Sequence, residues 1–93
     1  MILSFGDKAT ENLFHRIPLT KVPADVQERA FARLVLIDAA ASVHLLRVPP
    51  SNRLEALRGK LRGFWSIRVN DRWRIIFRFE HGNAYDVEFI DYH

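Results

Sequence analysis

The sequence predicts an α+β fold, with two N-terminal helices packed on one face of a small antiparallel β-sheet. Three observations predict it. Apolar residues recur at spacings of three and four through the first half of the chain. Pro49-Pro50-Ser51-Asn52 then ends the helical half. From Phe64 onward, apolar and polar residues alternate with the period of two that a half-buried strand requires. At 93 residues, the chain is expected to form a single domain over positions 1–93.

Residues 1–5 alternate loosely, as a short strand would. Asp7 is placed to cap a helix over about residues 8–16, because its carboxylate can accept the first free amides. Leu13, Phe14 and Ile17 form the buried stripe of that helix, and Pro18 stops it. Pro23 suits the first turn of a second helix, where its missing N–H is no loss. Asp25 and Glu28 complement the helix dipole there. Val26, Ala30, Leu34, Ile37 and Ala41 form the stripe of the second helix, widened by Phe31 and Val35.

Three strands follow. In Phe64–Val69, Trp65, Ile67 and Val69 point one way and Ser66 and Arg68 the other. Asn70-Asp71 is a turn signal. In Arg72–Phe79, Trp73, Ile75, Phe77 and Phe79 oppose Arg72, Arg74, Ile76 and Arg78. A second turn at Glu80-His81-Gly82-Asn83 leads to Ala84–Tyr92, where Tyr85, Val87 and Phe89 oppose Asp86, Glu88 and Ile90. The apolar face receives the helices, so its aromatic rings belong to the core. The other face carries Ser66, Arg68, Arg72, Arg74, Arg78, Asp86, Glu88 and, by parity, Tyr92.

Charge is distributed unevenly. Residues 1–46 carry five basic and five acidic groups, whereas residues 47–78 carry eight Arg, one Lys and two acids. Residues 79–93 carry four acids and no Lys or Arg. A concentrated field of Arg forks suits a polyanion, since the fork matches phosphate oxygens in two-point geometry. The same field also fits a solvated strand face. The absence of cysteine excludes a disulfide scaffold, a Cys-ligated zinc site and a thiol nucleophile. His15, His44, His81 and His93 lack the spacing of a helical metal site, so neither metal nor cofactor is expected. No apolar run reaches the roughly 20 residues of a membrane span. The first residues do not read as a signal peptide, so the expected compartment is the cytoplasm.

The stretches Arg53-Leu-Glu-Ala-Leu-Arg-Gly, Gly63-Phe-Trp-Ser-Ile-Arg-Val-Asn-Asp-Arg-Trp-Arg-Ile-Ile-Phe-Arg-Phe and Gly82-Asn-Ala-Tyr-Asp-Val-Glu-Phe-Ile-Asp-Tyr-His closely resemble the HigB branch of the RelE/ParE toxin superfamily. The likeness is detailed over residues 49–93 and agrees in pattern before that, at Ile2 to Phe5 and at Val22-Pro23. It implies the RelE-like fold and a metal-independent messenger-RNA interferase working at the ribosome, in the A site. It also implies a helix-turn-helix, HigA-like antitoxin, with operator DNA bound only through the toxin–antitoxin complex.

RNA cleavage without metal needs a base for the 2′-OH, positive charge for the phosphorane-like transition state and an acid for the departing 5′ oxygen. Arg74 matches the Arg of the family's Trp-Arg-Ile motif, and its charged fork suits the phosphate. The plainer alternative is an exposed strand Arg paired with Glu88 or Asp86. The terminal Asp91, Tyr92 and His93 form the second group, with His93 suited to proton transfer, Tyr92 to stacking or hydrogen bonding, and Asp91 to orienting from behind. Some family members have His and Lys where this chain has Glu55 and Arg58. Glu55 would serve as a base if burial or another carboxylate raised its pKa. It would equally serve as a salt-bridge partner of Arg53 or Arg58. Arg58, Lys60, Arg62, Arg68, Arg72 and Arg78 are candidate RNA or ribosome contacts.

Two rival functions use the same features. A ParE-like toxin poisons gyrase by protein binding, and a non-catalytic RNA-binding regulator would use the Arg field alone. Translation-dependent mRNA cuts, gyrase-dependent DNA breaks, or neither, separate the three.

Overall fold

A computed structural model describes residues 1–92. Two helices, α1 (Lys8–Phe14) and α2 (Ala24–Ala39), cover one face of a four-stranded antiparallel sheet. Its strands are β1 (Glu55–Ala56), β2 (Trp65–Arg68), β3 (Trp73–Glu80) and β4 (Asn83–Asp91), paired in chain order. Val26, Ala30, Leu34 and Ile37 of α2 are buried together with Ile67, Ile75, Phe77 and Val87 of the sheet. This is the helix stripe and strand parity that the sequence predicts.

Both helix ends depart from the sequence reading. Asp7 does cap α1, accepting from the Thr10 amide at 2.9 Å. The helix ends at Phe14, however, and Arg16 takes a positive φ, which leaves Ile17 beyond the helix and 50% exposed. Helix α2 ends at Ala39, so Ala40 rather than Ala41 takes the last buried place. Gln27 accepts from the Leu19 amide and donates to the Leu19 and Val22 carbonyls, which fastens the connecting loop to α2.

Strand β1 has only two residues, Glu55 opposite Ser66 and Ala56 opposite Trp65. A pair that short has no alternation to read, and the sequence reading contains no strand there. The loop leading to it is set by Asn52, whose buried side chain donates to the Leu46 and Val48 carbonyls.

Strand β4 carries a bulge. Ile76 pairs with Glu88 but Arg78 pairs with Tyr85, so Asp86 and Val87 together face Phe77. Asp86 absorbs the extra residue at φ 53°, a left-handed conformation that short polar residues tolerate. The bulge reverses parity upstream of it. Tyr85 therefore lies on the outer face beside Arg78, not on the helix-covered face with Val87 and Phe89, and Ala84 takes the buried place.

The free edge of β4 is closed by the N-terminus. Bridges join Ile2 to Ala84 and Phe5 to Val87 in parallel. Beyond the bridges, the Phe89 amide donates to the hydroxyl of Thr10, a fully buried residue of α1, at 2.8 Å. The same segment crowds Glu88, because a Cβ at Gly6 would lie 2.5 Å from Glu88 Oε1. Burial, and then the charge of Asp7, push the Glu88 carboxyl above the usual glutamate range.

A raised carboxyl favours the folded state at low pH. That stability is full below the unfolded value of about 4.3 and is lost as pH rises through the folded value. Glu88→Gln removes the penalty, so at pH 7 it is expected to melt slightly higher than the parent. Thermal melts at pH 4 and 7 check this. The gain should shrink toward pH 4.

Candidate active site

The outer face of the sheet is read in rows. One row runs Arg68–Arg74–Ile90, and the next runs Glu55–Ser66–Ile76–Glu88. Arg74 sits mid-sheet with a side chain only 17% exposed. Its Nη1 lies 3.7 Å from Glu55 Oε1, which is close enough for attraction but too long for a hydrogen bond. On its other side, the Tyr92 ring centre is 4.8 Å from the guanidinium carbon. Arg74 is thus held between a carboxylate and an aromatic ring that is itself half exposed.

The acidic neighbour of Arg74 differs from the sequence reading. Glu88 opposes Ile76, and the bulge displaces Asp86, so neither pairs with Arg74. The neighbour is Glu55, brought over by the short strand β1. For the same reason, the cation beside Glu55 is Arg74 rather than Arg53 or Arg58. Glu55 is 56% exposed.

The chain end is clamped behind Tyr92. Arg72 Nε and Nη2 both donate to Asp91 Oδ2, at 2.9 and 2.7 Å. The Asp91 hydrogen bond, and then its charge, hold Arg72 more firmly protonated than usual. The Tyr92 amide donates to the Arg72 carbonyl at 2.7 Å. These bonds fix the backbone from which Tyr92 reaches Arg74. His93 lies outside the described residues.

The basic candidates separate into two groups. Arg58, Lys60 and Arg62 are exposed on the turn after β1, where Arg58 and Arg62 line an open depression of about 470 Å³ with Ala56, Leu57 and Gly59. Arg68 and Arg78 stand on β2 and β3, and Arg72 lies in the turn just before β3. Arg68 forms an ion pair with Asp71, Arg72 with Asp91, and Arg78 lies over the Phe64 ring at 5.6 Å. Among the described residues, no three His, Asp or Glu side chains converge as a metal-ligand set. None of the helices is long and apolar enough to cross a membrane.

Sequence reasoning missed Ser66 as a site residue. It lies on the outer face beside Glu55 yet is only 1% exposed. The available signal was its small size on a strand face otherwise lined by Arg.

A chain with this layout matches a known family over almost its whole length. The profile of the family described as "RelE-like toxin of type II toxin-antitoxin system HigB" covers residues 3–93. The chain belongs to the HigB family. Toxin HigB-1 of Vibrio cholerae is 38% identical over 98 aligned positions, covering 100% of this chain and 98% of that protein. Endoribonuclease HigB of Proteus vulgaris is 39% identical, with both chains covered in full. Among solved structures, a YoeB/ParE toxin from Agrobacterium tumefaciens superposes with a TM-score of 0.51 over 96% of each chain. At 18% identity, that likeness shows the fold alone. As a toxin of a type II toxin–antitoxin system, this HigB-family chain has an antitoxin as its partner.

Proposed function

We propose that this toxin is an endoribonuclease that cuts messenger RNA in the ribosomal A site without a metal ion. The observation that carries the proposal is the seating of Arg74, a fixed cation held on an open Arg-rich face between Glu55 and the Tyr92 ring. The relative from Proteus vulgaris is named an endoribonuclease, which agrees with this chemistry.

The 2′-OH attacks the adjacent phosphorus and passes its proton to a base. The bond from phosphorus to the 5′ oxygen breaks, and that oxygen takes up a proton. The products are a 2′,3′-cyclic phosphate and a 5′-OH end. Arg74 offsets the extra negative charge of the phosphorane-like transition state. Tyr92 presents a ring and a hydroxyl beside it. Proton transfer falls to His93, with Glu55 as the second group in reach of Arg74. Asp91 acts from behind, through its pairing with Arg72.

Arg58, Lys60 and Arg62 on the exposed turn, with Arg68 and Arg78 on the sheet and Arg72 at its margin, hold RNA phosphates, so ribosome affinity should fall steeply with salt. The partner is a HigA-like antitoxin with a helix-turn-helix, operator DNA is met only through that complex, and the compartment is the cytoplasm.

The test is to add purified protein to a translating bacterial extract, with and without chelator, and map mRNA 5′ ends. Cuts that need translation and persist with chelator support the reading. Well-folded protein that makes no cuts overturns it and leaves gyrase poisoning or RNA binding alone.

The clamp at the chain end carries its own prediction. Arg72→Ala removes the side-chain half of the clamp, its two bonds to Asp91, and loosens the seat of the Tyr92 ring on Arg74, although the backbone bond between residues 92 and 72 remains. Misplacement of a catalytic group by a small distance is costly, and here about a tenfold loss of cleavage rate is expected, with little change in melting temperature. Single-turnover cleavage beside a thermal melt checks both parts.

A further inference from the structure

Two buried polar atoms on the outer face, Ser66 Oγ and Arg74 Nε, have no hydrogen-bond partner among the described residues. Such atoms normally find one, because leaving them bare is costly. These two are neighbours. Ser66 opposes Ile76, and Arg74 precedes Ile76 by two positions on the same strand, which makes Ser66 and Arg74 diagonal neighbours on one face.

The path of the Arg74 side chain brings them closer. Arg74 stands on β3, and the carboxylate it approaches, Glu55, stands on β1. To reach Glu55, the fork crosses β2, and the β2 residue directly opposite Glu55 is Ser66. The crossing accounts for a serine on an open sheet face being 1% exposed. A long side chain would block the lane. Nε–H is a donor only, and a hydroxyl can accept from it.

We propose that Ser66 is a positioning residue for Arg74. Its hydroxyl accepts from Arg74 Nε–H through one ordered water, while its short side chain leaves the lane across β2 open. Nε is thereby fixed inward, and the Nη edge of the fork is aimed at the phosphate. A preorganised cation of this kind spends nothing on reorientation as charge develops. Arg74 is the group that meets RNA, and Ser66 acts only through it.

The proposal rests on the ribonuclease reading for its catalytic consequence, but its structural half can be measured without RNA. Ser66→Ala keeps the space and deletes the hydroxyl, and Ser66→Thr restores it. The Arg74 Nε–H resonance, assigned by its loss in Arg74→Lys, is followed by NMR for its exchange with solvent. Single-turnover cleavage on programmed ribosomes gives the rate and the half-saturating ribosome concentration. Ser66→Ala is expected to speed Nε–H exchange at least tenfold and to lower the cleavage rate about tenfold, with half-saturation unchanged. Ser66→Thr is expected to recover both. Unchanged exchange, an unchanged rate, or a loss confined to half-saturation in Ser66→Ala overturns the proposal. If the parent protein cuts nothing, the ribonuclease reading fails by itself, and the exchange measurement still decides whether Ser66 holds Arg74.

Discussion

Arg74→Ala is expected to lower mRNA cleavage by about 10²–10³-fold, the usual cost of removing one preorganised group that stabilises developing charge. The side chain projects from the outer face of the sheet, and Arg74 is not part of the helix-covered core. The melting temperature should therefore move little. Arg74→Lys keeps a positive charge but replaces a planar fork with a point charge. Its single ammonium cannot meet both Glu55 and the Tyr92 ring as the wider guanidinium does. It should recover only a small part of the rate. Equal activity in Arg74→Lys and the parent would show that charge alone suffices and that the seating between carboxylate and ring is irrelevant. Binding to the antitoxin serves as a folding control for both variants.

Thr10→Val is expected to be the most destabilising near-isosteric change in the helical layer. The shape is kept, but the hydroxyl that accepts from the Phe89 amide is lost. Thr10 is fully buried, so water does not replace the hydroxyl without displacing packed side chains. A buried donor left bare costs about 1–3 kcal/mol, and each kcal/mol corresponds to about 4–8 °C in a domain of this size. Thr10→Ser retains the acceptor and should lose much less. Thermal melts of the two variants check this, with hydrogen exchange at the Phe89 amide as a local readout. A Thr10→Val protein that melts with the parent would mean that this amide finds another partner.

The two positions lie at opposite limits of what sequence can reveal. Arg74 is legible because strand parity and a family motif both point to it, and neither depends on distant contacts. Parity also gives the outward placement of Tyr92 and the inward placement of Ile75 and Phe77. It fails at Tyr85, since a single extra residue flips every side chain on one side of it. Asp86 in a left-handed conformation carries that flip, and an Asp inside an otherwise alternating run is the one local hint.

The contacts that complete the site are non-local. Glu55 reaches Arg74 from a two-residue strand two positions away in the sheet, and its partner cannot be read from residues near it in sequence. Alternation places Ser66 on the correct face but gives only direction, and not the diagonal neighbour, Arg74, that the strand register sets beside it. Thr10 on its short helix gives no sign of its role. That role depends on the edge of β4, which the first six residues protect only as far as Val87.

Whether the messenger's own 2′-OH is the nucleophile under Arg74 is tested most directly with programmed ribosomes. They would carry an mRNA with a single 2′-deoxy nucleotide immediately 5′ of the mapped cut. This message should stay intact at that position, while the all-ribose message yields a 2′,3′-cyclic phosphate and a 5′-OH. Cutting of the deoxy message at the parental rate, or a 5′-phosphate on the product, would contradict the proposed chemistry.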